Sequence, residues 1–440
     1  MALEQIAERL TPIHVLRESK VGEGSPLFMQ RREYIEREAL LQPRHADRVE
    51  VGNGGLVRMI WSTVDLQKVN NDAGLHTVPL NERKTIHVSV MTAGMFEATD
   101  ASGFTEGKGN TGNTEIKLAA GLFTGNDGFV PDLLVFMKPE GLNAKAFDKG
   151  QSLIGEAAAK QLHAITSAFK EKYAVPDDTE VMYDMTGYSD GSTTILSTAK
   201  AIHEQKYGKI RRVLSIGGAG FVGAQSGEHA RPFQFLFQAI KEIRQAEQAM
   251  KRYGPIDRER QGVQRDGKVV VPDIHISPQA IVKNSPRLTK YSPDYEPLPV
   301  QKGGIGSENI VPLDDVKNIL KWSTRLVRTA LGTGHEGYAV PWRRIKESCT
   351  RNEDRAYLAQ HAIPTMVFGD YKDPFFPPRL IQEDIQNLRA VYPDANIWFV
   401  TSTLGHAGPH YEQTTFSWLT EMLQKSWDRR MKTVNAGASK

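Results

Sequence analysis

Short runs of apolar and polar residues, broken by turn residues, alternate along most of this chain, and their period switches between that of a strand and that of a helix. Arg48-Val-Glu-Val and Leu56-Val-Arg-Met-Ile-Trp-Ser flank Gly52-Asn-Gly-Gly, which predicts a hairpin. Thr85–Met91 is the next strand, and Asp132-Leu-Leu-Val-Phe-Met-Lys is a near-continuous apolar run of the kind buried on both faces. From Gly150 to Tyr173, residues Ala157, Ala158, Leu162, Ile165 and Phe169 recur at helical spacing. A strand over Val181–Thr186, a helix over Ser192–Glu204 and a strand over Arg211–Ile216 follow. Strands and helices alternating in this way predict an α/β protein whose doubly wound sheet is parallel through its middle.

The alternation stops at about residue 225 and resumes at about 362. A Pro- and Lys-rich tract from Gly254 to Ile310 and helices near Leu313–Leu331 and Trp342–Gln360 fill the gap. So long a stretch between two sheet strands predicts a mainly helical cap over the strand ends. Strand Ile363–Phe368, helix Arg379–Tyr392, strand Asn396–Thr401 and helix Phe416–Trp427 complete the chain. The expected division is a helical extension over 1–45, a core over 46–224 and 362–440, and a cap over 225–361.

Charge narrows the partners. Lys plus Arg number 55 against 52 for Asp plus Glu, so the net charge of +3 leaves no electrostatic footprint for nucleic acid. The basic cluster Lys425, Arg429, Arg430 and Lys432 reads as a solvated helix end. The single cysteine, Cys349, excludes an internal disulfide and a cysteine metal cluster. No signal-like segment and no run of membrane-spanning length is present, so a cytoplasmic protein without stable membrane insertion is expected. Oligomeric state is not legible.

Candidate chemistry centres on Gly187-Tyr-Ser-Asp-Gly191, a G-x-S-x-G between a strand and a helix. About 0.2 such pentapeptides arise by chance in a chain of this length and composition, so its context must carry the weight. Strand, tight turn and helix are the setting that lifts a serine hydroxyl clear of a sheet, which makes Ser189 the candidate nucleophile. Carboxylates follow a later predicted strand, at Asp370 and Asp373, and histidines follow the last, at His406 and His410.

Other motifs read as structure. Gly217-Gly-Ala-Gly-Phe-Val-Gly223 contains G-x-G-x-x-G at Gly218, Gly220 and Gly223, and resembles the cofactor fingerprint of extended short-chain dehydrogenases. A polar loop closed by Pro232 follows it, then a helical pattern where a dinucleotide site needs a strand bearing an acid. None of the thirteen tyrosines has a lysine four places on, as those dehydrogenases do. A close-approach loop is the reading, and no cofactor is expected. Lys108, in the glycine-rich loop from Asp100 to Asn113, lacks phosphate-loop spacing. Asp273 and His275 are too few ligands for a metal. Gly332-Thr-Gly-His-Glu-Gly337 reads as a hinge loop.

Serine, then acid, then histidine, each after a strand, is the chain order of the α/β-hydrolase superfamily. The sequence resembles it through Gly187-Tyr-Ser-Asp-Gly191, Asp373-Pro-Phe-Phe-Pro377 and Gly405-His406. The resemblance implies an α/β-hydrolase fold with an inserted cap and a Ser189, His406 and Asp373 triad, with Asp370 and His410 as alternative acid and base. It also implies oxyanion donors at the amides of Asp190 and Met95, though Ala93 stands where the family often has histidine. The activity implied is cleavage of a small-molecule ester or related acyl bond through an acyl-enzyme. A non-catalytic binding protein on the same fold is the second reading, and a nicotinamide enzyme using Gly218–Gly223 the third.

Overall fold

The computed structural model describes residues 34, 35, 38, 45–52, 54–72, 74, 75, 78–92, 94, 130–149, 152–218, 220, 221, 263–265, 268–270, 353–370, 376 and 378–402. Its strands are β1 (His45–Val51), β2 (Gly55–Asp65), β3 (Thr85–Thr92), β4 (Leu133–Gly141), β5 (Glu180–Tyr188), β6 (Lys209–Ile216), β7 (Val263–Arg265), β8 (Lys268–Val270), β9 (Thr365–Asp370) and β10 (Ile397–Ser402). Its helices are α1 (Gln67–Asp72), α2 (Ser152–Lys172), α3 (Asp190–Gln205), α4 (Glu353–Gln360) and α5 (Pro378–Val391).

Eight strands form one sheet in the order β1-β2-β4-β3-β5-β6-β9-β10. The first two pair as the predicted antiparallel hairpin, β2 pairs antiparallel with β4, and every pair from β4 to β10 is parallel. Burial follows position. Every residue of β4, between β2 and β3, is buried, whereas most of β1 on the edge is exposed. The predicted boundaries shift by a few residues: β5 runs on to Tyr188, α3 begins at Asp190, and β9 extends through Asp370 instead of ending at Phe368. The last of these puts Asp370 in the ladder opposite Ser402 rather than on a loop.

Between β6 and α4 the described residues include one small hairpin, β7 with β8, inside a tract the sequence marks as irregular. Outside the described residues lie most of the N-terminal extension, the Lys108 loop, the predicted helix 114–123, Asp273, His275, the loop 332–337, Cys349 and the C-terminal basic cluster. No helix among the described residues is long and apolar enough to cross a membrane.

The helices meet at close range. Gly155 of α2 crosses Ser197 of α3 so tightly that a Cβ at 155 would stand 2.6 Å from the Ser197 Cβ. Tyr183 of β5 is fully buried beneath α2, with its hydroxyl 3.4 Å from Thr166 Oγ1. Buried charges are paired. Asp184 of β5 faces Arg212 and Arg211 of β6, and Arg83 reaches Asp132 at 2.8 Å while also bonding Gln67. The second Asp132 oxygen accepts the His87 amide at 2.8 Å, which ties the start of β3 to the chain entering β4.

Arg355 of α4 links two distant segments. It donates to the Gly220 carbonyl at 3.1 Å and to Asp384 of α5 at 2.5 Å, from a nearly buried position. Burial pushes the Asp384 carboxyl above its ordinary value, and the guanidinium beside it pulls it back. Removing one member of a buried pair leaves the other charge uncompensated. Arg355→Met is therefore expected to cost about 3–5 kcal/mol, read as a lower urea midpoint. An unchanged midpoint would show that the pair carries no net weight.

His87 gives the fold a pH dependence. Burial lowers its imidazole below the ordinary 6.5, assisted by Arg211 and Arg83 and opposed by Asp132 and by a bond to the Val130 carbonyl. The unfolded chain therefore takes up the proton more readily than the folded one, so this contribution is complete above that ordinary value and lost as pH falls through the folded value. Urea midpoints should drop between pH 7.5 and 5, and His87→Gln should flatten the drop. Equal slopes for the two chains would remove His87 as the cause.

Candidate active site

Ser189 stands where β5 ends and α3 begins, with φ 51° and ψ −124°. Left-handed backbone is uncommon for a residue with a Cβ and costs about 1–3 kcal/mol unless its surroundings hold it. Three sets of contacts hold it here. The Ser189 amide donates to the Ile216 carbonyl at the end of β6, at 2.7 Å, and the Ser189 carbonyl accepts from the Ser192 amide at 2.9 Å. The Ser192 hydroxyl lies 2.9 Å from both the Gly187 and Ile216 carbonyls.

The glycine at 187 is sterically required. A Cβ there would lie 2.7 Å from both the Gly191 carbonyl carbon and the Ser192 Cα, closer than real side chains come. Strand and helix cross too tightly for any other residue.

The turn is almost closed over. Ser189 is 8% exposed and Asp190 2%. At the helix N-terminus, the Asp190 amide belongs to the first turn, where backbone N–H groups lack helical acceptors and favour negative charge. The chain leaving β3 comes alongside, since a Cβ on Gly94 would stand 3.4 Å from the Ser189 Cβ and 3.1 Å from the Tyr188 ring. The segment that the sequence nominates for the second oxyanion donor therefore starts beside Ser189. Met95 itself lies outside the described residues.

Asp373, His406 and His410 also lie outside them, as does the side chain of Asp370. What the sheet fixes is where their segments start. β5, β6, β9 and β10 run parallel, so the chain leaves β9 at Asp370 and β10 at Ser402 on the same edge as Ser189. At ~4.8 Å per strand, β9 and β10 stand roughly 10 and 14 Å from β5. Loops must span that gap to bring an acid and a base to the serine.

The described glycines after β6 turn the chain. Gly217, Gly218 and Gly220 take φ of 87°, 69° and 85°. A Cβ on Gly218 would lie 3.1 Å from Ile381 Cγ1, and one on Gly220 would lie 2.8 Å from Leu196 Cδ1. Side chains of α5 and α3 thus pack directly against these two glycines. Among the described residues no group of three or more His, Cys, Asp or Glu is placed to hold a metal.

Two groups of contacting residues are invisible to motif reading. Thr92 at the end of β3 has its hydroxyl 2.7 Å from the Gly191 carbonyl, within the nucleophile turn. On the surface, His203 Nδ1 lies 2.9 Å from the Tyr357 hydroxyl, with the His361 ring tilted beside both. Only register against neighbouring elements, absent from a linear pattern, brings these residues together.

No protein-family model matches the sequence, and no curated protein matches it significantly. Similar solved structures include an esterase of Pyrococcus furiosus, at 9% identity with 90% of this chain and 93% of that one covered and a TM-score of 0.35. Carboxyl esterase 2 of the mycorrhizal fungus Tuber melanosporum is 10% identical, with 88% and 86% covered and a TM-score of 0.37. Homoserine O-acetyltransferase of Staphylococcus aureus is 10% identical, with 89% and 95% covered and a TM-score of 0.36. Superpositions this loose add nothing to the strand order itself. With its antiparallel start, parallel remainder, β4-β3 inversion and a positive-φ serine between the central β5 and α3, this chain has the α/β-hydrolase fold.

Proposed function

We propose that the protein is a serine hydrolase that cleaves a small-molecule carboxylic ester through an acyl-enzyme. The observation that carries this reading is the strained Ser189 turn, held at the carboxyl end of a central strand and beside the chain leaving β3. A Gly-rich connection with no chemical task has no reason to maintain a serine at φ 51°.

In the proposed reaction, Ser189 Oγ attacks the ester carbonyl while His406 takes its proton. The resulting oxyanion accepts hydrogen bonds from the amides of Asp190 and Met95. Collapse expels the alkoxide, which receives the proton from His406 and leaves as an alcohol. Water, deprotonated by the same imidazole, then attacks the acyl-serine, and the imidazolium returns that proton to Ser189 Oγ as the acid leaves. Asp373 orients the imidazole and stabilises its cation. The shared sheet edge at which β5, β9 and β10 end supports this assembly, because each role falls to a segment that starts there. Residues 225–361 form the cap of the proposed enzyme, over the core of 46–224 and 362–440, and limit which esters enter.

A fluorophosphonate probe reacts with a serine only when a base has activated it. The full-length chain should label, and Ser189→Ala should abolish labelling and lower kcat on p-nitrophenyl acetate by at least about 10⁴-fold. His406→Ala should act similarly, with His410→Ala close to the parent. A wild-type chain that neither labels nor turns over any acyl p-nitrophenyl ester of short to long chain would overturn the proposal.

A further inference from the structure

β3 and β5 end side by side, with Thr92 opposite Gly187. Thr92 is 1% exposed, and its hydroxyl has two carbonyls in reach: Gly191 at 2.7 Å and Thr186 at 3.3 Å. The single proton goes to the nearer. Gly191 belongs to the first turn of α3, just beyond Ser189, and Thr92 lies just before Gly94, which packs against Tyr188 and Ser189. One side-chain hydrogen bond therefore ties the strand leading to one proposed oxyanion donor onto the helix end that supplies the other.

Its strength matters because oxyanion donors act only over a narrow range, about 2.7–3.1 Å from the developing charge. Backbone ladder bonds fix β3 against β5 as far as Thr92 and Gly187. Beyond them the ladder stops: one chain enters the turn and helix, and the other passes Tyr188 and Ser189 at Gly94. The Thr92 hydroxyl is a cross-connection where the ladder ends. Valine has nearly the same shape and suits a strand as well. The contribution of the hydroxyl is thus separable from packing.

We propose that Thr92 is a positioning residue for the ester hydrolysis: its hydroxyl sets the spacing between the Ser189–Asp190 turn and the chain leaving β3. This inference rests on the function proposed above, and its test separates the two. Thr92→Val removes the hydroxyl and Thr92→Ser keeps it. For wild type and both variants, the labelling rate of Ser189 by a fluorophosphonate, kcat and KM on p-nitrophenyl acetate, and the thermal midpoint are measured.

Thr92→Val should slow labelling and lower kcat by about tenfold to a hundredfold, with KM changed less than about threefold. Thr92→Ser should restore both rates to near the parent values. Wild-type rates in Thr92→Val overturn the role, and so does an equal loss in both variants, which would point to the lost methyl or to packing. Should Thr92→Val fail to fold, Thr92→Ser decides alone: parent rates support the hydroxyl, and a loss overturns it. If the wild-type chain itself does not label, the hydrolase reading fails first and this inference falls with it.

Discussion

The hydrogen bond from the Ser189 amide to the Ile216 carbonyl joins the last residue of one parallel strand to the turn that follows another, and the candidate site is built on it. Without an acceptor at that point, a serine at positive φ would relax toward ordinary backbone and turn its side chain elsewhere. Ile216 can serve because β6 runs beside β5 with its end in register with Tyr188. The same carbonyl lies within reach of the Ser192 hydroxyl, and the Gly217 amide beyond it bonds the Phe368 carbonyl of β9. Strain at one residue is thus spread across three adjacent strands.

Much of this was readable in the sequence. The hairpin at Gly52–Gly55, the buried run of β4 and the helix α2 follow directly from apolar spacing, because each element's environment is printed in its own residues. Strand order is different. β4 lies between β2 and β3, and no local pattern announces that inversion, which depends on how crossover segments pack. The Ser189 turn was legible for a steric reason: only glycine fits at 187 under the Gly191 carbonyl, so geometry leaves its mark as composition.

The mis-set end of β9 has a similar explanation. Gly369 and Asp370 are poor strand formers, and their local preference marks a stop, yet pairing with Thr401 and Ser402 of β10 carries the ladder through both. Tertiary pairing overrode propensity. The roles of Arg355 and Thr92 were likewise out of reach, since their partners are 135 and 99 positions away along the chain.

Arg355 of α4 binds the Gly220 carbonyl just where the chain departs from β6, 135 positions earlier. Two positions far apart along the chain are therefore stapled together by one side chain. Because the entropic penalty of closing a loop grows only slowly with its length, such a staple tolerates changes in the number of residues between its two ends while the sheet keeps its register.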